Sequence, residues 1–312
     1  MPVLASVDVG SNSVRLLAAT VSDGAIGKVA LNLRATTRLS QGLRPGGRLM
    51  REAADRTVRV LKDYAERLKA AGVAGVSVVG TEALRVAADR EAFVARVLDE
   101  TGLMVEVISG EEEARRTLLG IRAGVGGLVG LAPKLLVDIG GGSTELTYTA
   151  DWRSFKAISL PIGAVSLYER FLLDDPPKSS DVRDLEAASF GALRTLNELV
   201  PKGESPVMVG TAGTITTLAA VDLAMDVYDP AKVTGHKIGR ETVGRLLARF
   251  CGLPKESRRL LAGLEPGRED IILSGTALLG VIMDVAKSDW LVVSDYGLRE
   301  GNLIDYSGKT LK

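Results

Sequence analysis

The densest run of chemically capable residues is VDIGGGSTEL, residues 137–146. An apolar strand ends in Asp138, and three glycines and two hydroxyls lead into a second strand. Glycines let backbone N–H groups close around phosphate oxygens without Cβ clashes. Gly141, Gly142 and Ser143 are therefore candidate phosphate ligands, and Thr144 offers a further hydroxyl. A carboxylate beside a phosphate repels it unless a cation stands between them, and Mg²⁺ suits carboxylate, water and phosphate oxygens together. Asp138 and Glu145 are the candidate cation ligands. The competing reading is a glycine-rich hairpin with Asp as a turn former.

A counterpart, VDVGSNSVRL, occupies residues 7–16. Asp8 ends a strand, and Ser11, Asn12 and Ser13 supply small polar groups in the turn; an ordinary polar hairpin reads the same way. Arg15 stands where Glu145 stands in the other copy, so one copy offers metal ligands and the other positive charge. GTEALR (80–85) and GTAGT (210–214) form a second matched pair, each after a strand. In the latter, Gly210, Thr211, Gly213 and Thr214 lie where free helix N–H groups attract anions, although Thr211 or Thr214 could simply cap the helix. Both pairs are offset by 130 residues, Asp8 to Asp138 and Gly80 to Gly210, which points to two halves of like topology. Arg85 can bind phosphate as a fork of donors or be an exposed helix arginine.

In ISGEEEAR, residues 108–115, Ser109 is a good N-cap with Glu112 three residues on, a capping-box spacing. Glu113 lies in the first helical turn and could activate a water. Taken from the residues alone, a surface pair of Glu113 with Arg116 is the favoured reading. Arg115–Arg116 and Arg258–Arg259 read as solvated faces, and the single histidine, His236, reads as surface or structural.

The elements that must carry these groups are legible from periodicity. Strands are predicted at 3–9, 14–21, 27–35, 76–80 and 103–108, with helices at 50–71 and 89–101. The order repeats with strands at 134–139, 145–150, 154–160 and 206–210 and a helix at 181–199. Strand, helix and strand in that order, twice, indicate an α/β fold with mixed sheets and a ligand cleft between the halves. The glycine-rich stretch 124–130 and Pro133 mark the expected boundary.

Composition excludes several classes. The chain has 312 residues with 39 basic and 39 acidic side chains, so no global field draws nucleic acid or a membrane surface. A polyanionic ligand would need locally concentrated arginines. One cysteine and one histidine rule out metal sites built from several such ligands and leave carboxylates to do acid–base work. No leader is visible at the N-terminus, and the longest apolar stretches are too short to span a bilayer. A cytoplasmic protein is expected.

Taken together, DVGSNS, GTEALR, ISGEEEAR, DIGGGSTEL, GTAGT and DYGLREG (295–301) resemble the exopolyphosphatase and guanosine pentaphosphate phosphohydrolase family over essentially the whole chain. The resemblance implies a duplicated ribonuclease-H-like, actin-like fold. It places an N-terminal domain at 1–125, a C-terminal domain at 126–299, and a tail from about 300 to 312 on the former. It implies release of terminal phosphate from inorganic polyphosphate, or of the 5′ γ-phosphate from guanosine pentaphosphate, with Mg²⁺. By motif matching it makes Glu113 the catalytic base, Arg85 a phosphate contact, Asp8, Asp138 and Glu145 metal-associated, and a homodimer the expected assembly. Larger members carry further helical domains that help bind long chains, so processivity on very long polyphosphate is not expected. The rival activities are an ATP-dependent small-molecule kinase on the same fold and a non-catalytic sensor of guanosine tetra- or pentaphosphate.

Overall fold

The computed structural model describes residues 1–310. The chain divides into two compact units, Met1–Ala123 with the segment from Tyr296 onward, and Gly124–Asp295.

The first unit is built on a five-stranded sheet of β1 (Val3–Val9), β2 (Ser13–Ser22), β3 (Ala25–Thr36), β4 (Gly75–Gly80) and β5 (Val105–Val107), in the order β3-β2-β1-β4-β5. β1, β2 and β3 form antiparallel hairpins, while β4 and β5 run parallel to β1. Ala5, Val7, Leu16 and Val78 lie in its core against helix Arg51–Ala70. That helix buries Ala53, Thr57, Val58, Leu61, Tyr64 and Leu68, the three-to-four spacing of one face. Helix Leu298–Thr310 packs on β1 and β2. Its Asn302 donates to Ser6 Oγ (2.9 Å) and accepts from Arg116 (2.7 Å).

The second unit repeats the plan. β6 (Lys134–Ile139), β7 (Thr144–Thr149) and β8 (Lys156–Leu160) are antiparallel, and β9 (Val207–Thr211) runs parallel to β6. β10 (Lys237–Gly239) and β11 (Trp290–Val293) extend the sheet to the order β10-β11-β9-β6-β7-β8. Its first four strands match the topology of β1 to β4, which bears out the duplication read from the repeated motifs. Helix Ile272–Val285 is buried from Ile272 through Met283, apolar nearly all round as a core helix must be.

Two expectations change, and one stretch without a predicted element acquires one. The glycine-rich stretch read as the boundary is helical: helix Gly110–Val129 runs through Gly124, Gly126 and Gly127 and stops at Gly130 (φ 64°). Ala114, Leu118, Ile121 and Val125 form a buried stripe at helical spacing, and that packing outweighs the glycines' poor propensity. The helix predicted at 181–199 breaks into Ser179–Ala192, a 3₁₀ turn Leu193–Thr195, and Leu196–Leu199. Leu193, Leu196 and Leu199 are all buried, and a spacing of three matches the 3₁₀ repeat. The strand predicted at 103–108 shortens to β5.

Candidate functional site

In the first unit Val9 pairs with Gly80 and Gly80 with Val107, so the carboxyl ends of the three parallel strands finish level. Ligand-binding loops of α/β sheets gather at that end. Three sequence-predicted segments emerge there: turn 10–13, GTEALR and ISGEEEAR. The turn closes with the Gly10 N–H donating to the Ser13 carbonyl (3.1 Å). Ser11, Asn12 and Ser13 are all buried. The Asn12 carbonyl accepts from the N–H groups of Thr37 (3.0 Å) and Arg38 (2.9 Å), fixing the turn's backbone. Its side-chain amide, both Oδ1 and Nδ2, has no hydrogen-bond partner in the protein. A buried amide with both functions unused costs roughly 1–3 kcal/mol for each group and calls for a ligand or solvent to complete it.

Glu113 is not the exposed partner of Arg116. It is 7% exposed and accepts from Arg85 Nη1 at 2.5 Å. Arg85 is held from two further sides, by Glu82 (Nε to Oε2, 3.0 Å) and by the Ile108 carbonyl (3.2 Å). The arginine is thus neither an exposed helix residue nor adjustable; its fork is set by three acceptors. Ser109 caps helix Gly110–Val129 by accepting from the Glu112 N–H (3.1 Å), as the spacing predicted. Glu112 has a structural duty: it accepts from Arg115 and Arg116 at 2.7 Å each. Hydrogen bonds from Arg115 first, and from Arg116, hold its carboxyl down to about 2 against the opposing effect of burial. Arg116, read from sequence as solvated, is 3% exposed and also binds Glu106 (3.0 Å). Burial of one arginine among polar partners is costly unless it is well paired, and here all three guanidinium nitrogens donate, to Glu112, Asn302 and Glu106. Arg258 is likewise buried, with Asp175 at 2.5 Å.

In the second unit Asp138 pairs in register with Glu145 on β7 and with Thr211 on β9. Register partners on antiparallel strands point to one face, so two carboxylates lie side by side, 8% and 2% exposed. Ser159 donates to Glu145 Oε1 (2.7 Å). At the matching place in the first unit Asp8 lies opposite Arg15, the acid–base asymmetry expected from sequence. The donor set at Asp138 and Glu145 is all oxygen and all anionic, which fits a hard divalent cation such as Mg²⁺. Among the described residues no group of three His, Cys, Asp or Glu side chains gathers to hold an ion, so water and substrate oxygens would complete its shell.

The loop beside these carboxylates closes as its counterpart does, with the Gly140 N–H on the Ser143 carbonyl (3.0 Å). The carbonyls of Gly140 and Gly141 accept from Ala164 (2.9 Å) and Val165 (2.8 Å), the start of helix Ala164–Phe171. The N–H groups of Gly141 and Gly142 donate to no backbone carbonyl among the described residues, which leaves them to an anion. Thr144 does not add a donor, because its hydroxyl is spent on the Ile162 carbonyl (2.7 Å). In GTAGT, Thr211 is the N-cap residue of helix Ala212–Asp222 but its side chain makes no cap bond. Thr214 is buried against Gly275, where an added Cβ would come within 2.5 Å of its methyl and 2.7 Å of its hydroxyl. Ala212 sits at φ 67°, a strained value for alanine at the turn where the strand becomes a helix.

Arg268 was not singled out from sequence. Its guanidinium lies directly on Gly213, where a Cβ would approach Nη2 to 1.7 Å, and Glu265 orients it (2.6 Å). It brings a buried positive charge to the first turn of the helix. Nothing in PGRED (266–270) distinguishes it from a surface turn except Gly267, at φ 83°. His236 is structural, its Nε2 3.0 Å from Asp222.

The profile of the Ppx/GppA phosphatase family matches residues 19–310. The chain belongs to the Ppx/GppA phosphatase family. It is 35% identical to exopolyphosphatase 2 of Mycobacterium tuberculosis over 98% of both chains. It is 31% identical to the guanosine-5′-triphosphate,3′-diphosphate pyrophosphatase of Vibrio vulnificus, over 96% of this chain and 58% of that protein. Among solved structures, the Aquifex aeolicus Ppx/GppA family member is 35% identical with a TM-score of 0.81, covering 99% of this chain and 98% of that one. An exopolyphosphatase-like protein superposes with a TM-score of 0.93 at 29% identity, over 100% of this chain and 99% of that one. The fold is the duplicated, actin-like architecture of two mixed-sheet α/β units. Like the other Ppx/GppA phosphatases, the chain is an enzyme of phosphoanhydride hydrolysis.

Proposed function

We propose that this Ppx/GppA phosphatase releases the terminal phosphate of inorganic polyphosphate and also accepts guanosine pentaphosphate. The observation that carries the reading is Glu113: a carboxylate near the carboxyl ends of the parallel strands β1, β4 and β5, buried, and held by an arginine with its own fixed partners. Such a group suits orienting and deprotonating a water. Each unit by itself has such groups for phosphate oxygens: turn 10–13 in the first, and turn 140–143 with the helix start at 211–214 in the second, offer N–H groups and small hydroxyls. Arg85 and Arg15 offset the charge of the transferred group.

In the step, a water oxygen bonds to the terminal phosphorus as the bridging P–O bond breaks. The water proton passes to Glu113, and the shortened chain leaves with the bond's electron pair. Positioning and electrostatics supply most of the acceleration in such reactions. Asp138 and Glu145 of the second unit would hold Mg²⁺, with Asp8 the counterpart carboxylate of the first, and the ion would supply charge neutralisation to phosphate oxygens. The same reading takes the cytoplasm as the compartment, in keeping with a single cysteine, and a homodimer as the working form, on family resemblance.

The deciding experiment measures phosphate release with Mg²⁺ side by side on short polyphosphate, long polyphosphate and guanosine pentaphosphate. Release from at least one polyphosphate is expected. Tight nucleotide binding without phosphate release from any of the three would refute the reading in favour of a sensor.

A further inference from the structure

Helix Arg51–Ala70 and the edge strand β3 enclose a groove of about 440 Å³ on the first unit, away from Glu113 and Arg85 in sequence and lining. Ligand sites are commonly of this size. Its charged lining is Arg34, Arg56, Arg59 and Arg67 against one carboxylate, Asp63. Arg56, Arg59, Asp63 and Arg67 recur at three- and four-residue spacing, so one helix face carries them all. Asp63 is engaged by Arg67 at 2.8 Å. Arg56 donates to the Thr37 carbonyl (3.1 Å) and to Gln41 Oε1 (3.0 Å), both neutral, so its orientation is fixed while its charge is left for another partner. Arg59 is exposed; its charge is felt by Asp55, which is itself bonded to Arg96 (2.6 Å).

The protein as a whole has no net charge, so four guanidiniums against one carboxylate is a local concentration, as a polyanion would require. The one aromatic residue in the lining offers nothing for a base to stack on. Tyr64 is 4% exposed, its hydroxyl is turned to the Val14 carbonyl, and burial pushes that hydroxyl up to about 12. The groove therefore favours charge without a ring. It is also joined to the candidate phosphate turn: Arg56 binds the Thr37 carbonyl, and the Thr37 N–H binds the Asn12 carbonyl.

We propose that this groove is a second anion site, which holds internal phosphates of a condensed phosphate chain. Its ligand class rests on the polyphosphate reading above; its existence as a basic site does not. Guanidinium forks match tetrahedral phosphate oxygens, and a chain held at two places dissociates more slowly than one held at its end.

The test is the full-length double variant Arg59→Glu/Arg67→Glu, at two exposed positions where refolding is checked by circular dichroism. Arg59→Gln/Arg67→Gln serves as the milder form. KM for polyphosphate of several hundred units should rise about tenfold or more, with an intermediate rise for the Gln form, while kcat and KM for tripolyphosphate stay unchanged. Long-chain KM within twofold of the parent overturns the proposal, as does an equal loss on tripolyphosphate. If no polyphosphate is hydrolysed by the parent, the catalytic reading falls, and the groove is judged by equilibrium binding of long polyphosphate. A tenfold weaker Kd in the double variant then upholds the site, and an unchanged Kd overturns it.

Discussion

Replacing Glu113 by Gln separates chemistry from scaffolding. The two side chains are nearly isosteric, and the amide oxygen can still accept from Arg85 Nη1. Arg85 keeps Glu82 and the Ile108 carbonyl. What the fold loses is the difference between a charge-assisted bond and a neutral one, about 1 kcal/mol. For a unit of this size that is about 3 °C in Tm. What the reaction loses is its base, worth about 10² to 10⁴ in rate, or roughly 3–5 kcal/mol of barrier. Because the phosphate-binding turns are untouched, KM should move less than about threefold. The assay is kcat on tripolyphosphate at saturating Mg²⁺, with scanning calorimetry on the same preparation. A kcat within about fivefold of the parent, or a loss that merely follows the unfolded fraction, would remove Glu113 from the base role.

Gly301→Ala should unfold or detach the C-terminal helix, because the new Cβ would stand 1.6 Å from the Arg116 carbonyl; a loss of several kcal/mol in urea titration is expected. Ala212→Gly relieves a φ of 67° and should raise stability by about 0.5–1 kcal/mol, read as a higher Tm. Lys134 is fully buried with its ammonium 4.7 Å from the Trp152 ring and no hydrogen bond, and burial lowers its pKa. Lys134→Met should therefore leave Tm unchanged or raise it by a few degrees, and a large drop would mean the cation–π contact outweighs desolvation. Glu112 titrates near 2 when folded and near 4.5 otherwise, so its contribution is complete above pH 4.5 and fades as pH falls towards 2. Glu112→Gln should lower the unfolding free energy at pH 7 by on the order of 2 kcal/mol, read as a lower Tm, and flatten the fall in Tm across that acid window; parallel curves would contradict it.

Much of this was legible from the chain because the relevant signals are local. β1, β2, β6 and β7 follow from apolar runs bounded by glycine turns, and the Asp8/Arg15 against Asp138/Glu145 contrast follows from the 130-residue offset. The cap at Ser109 was likewise a matter of spacing. What was not legible depends on neighbours far along the chain. Glu113 and Arg116 lie three residues apart and are of ordinary surface type, and only Arg85, Glu106 and Asn302 make one a held carboxylate and the other a buried cation. Arg268 acquires its place on Gly213 from a segment 55 residues away, a relation no window of sequence contains. The helix through Gly124–Val129 was not read as an element, because its glycines hide the buried aliphatic stripe that carries it.

The first unit is assembled from two segments far apart in the chain, since Asn302 bridges Ser6 on β1 and Ser77 on β4. The second unit is contiguous from Gly124 to Asp295 and interrupts the first, so its neighbour must wait for the helix that closes its sheet. A chain truncated after Asp295 would carry every element of one half, while the other's central strands still exposed Ser6 and Ser77.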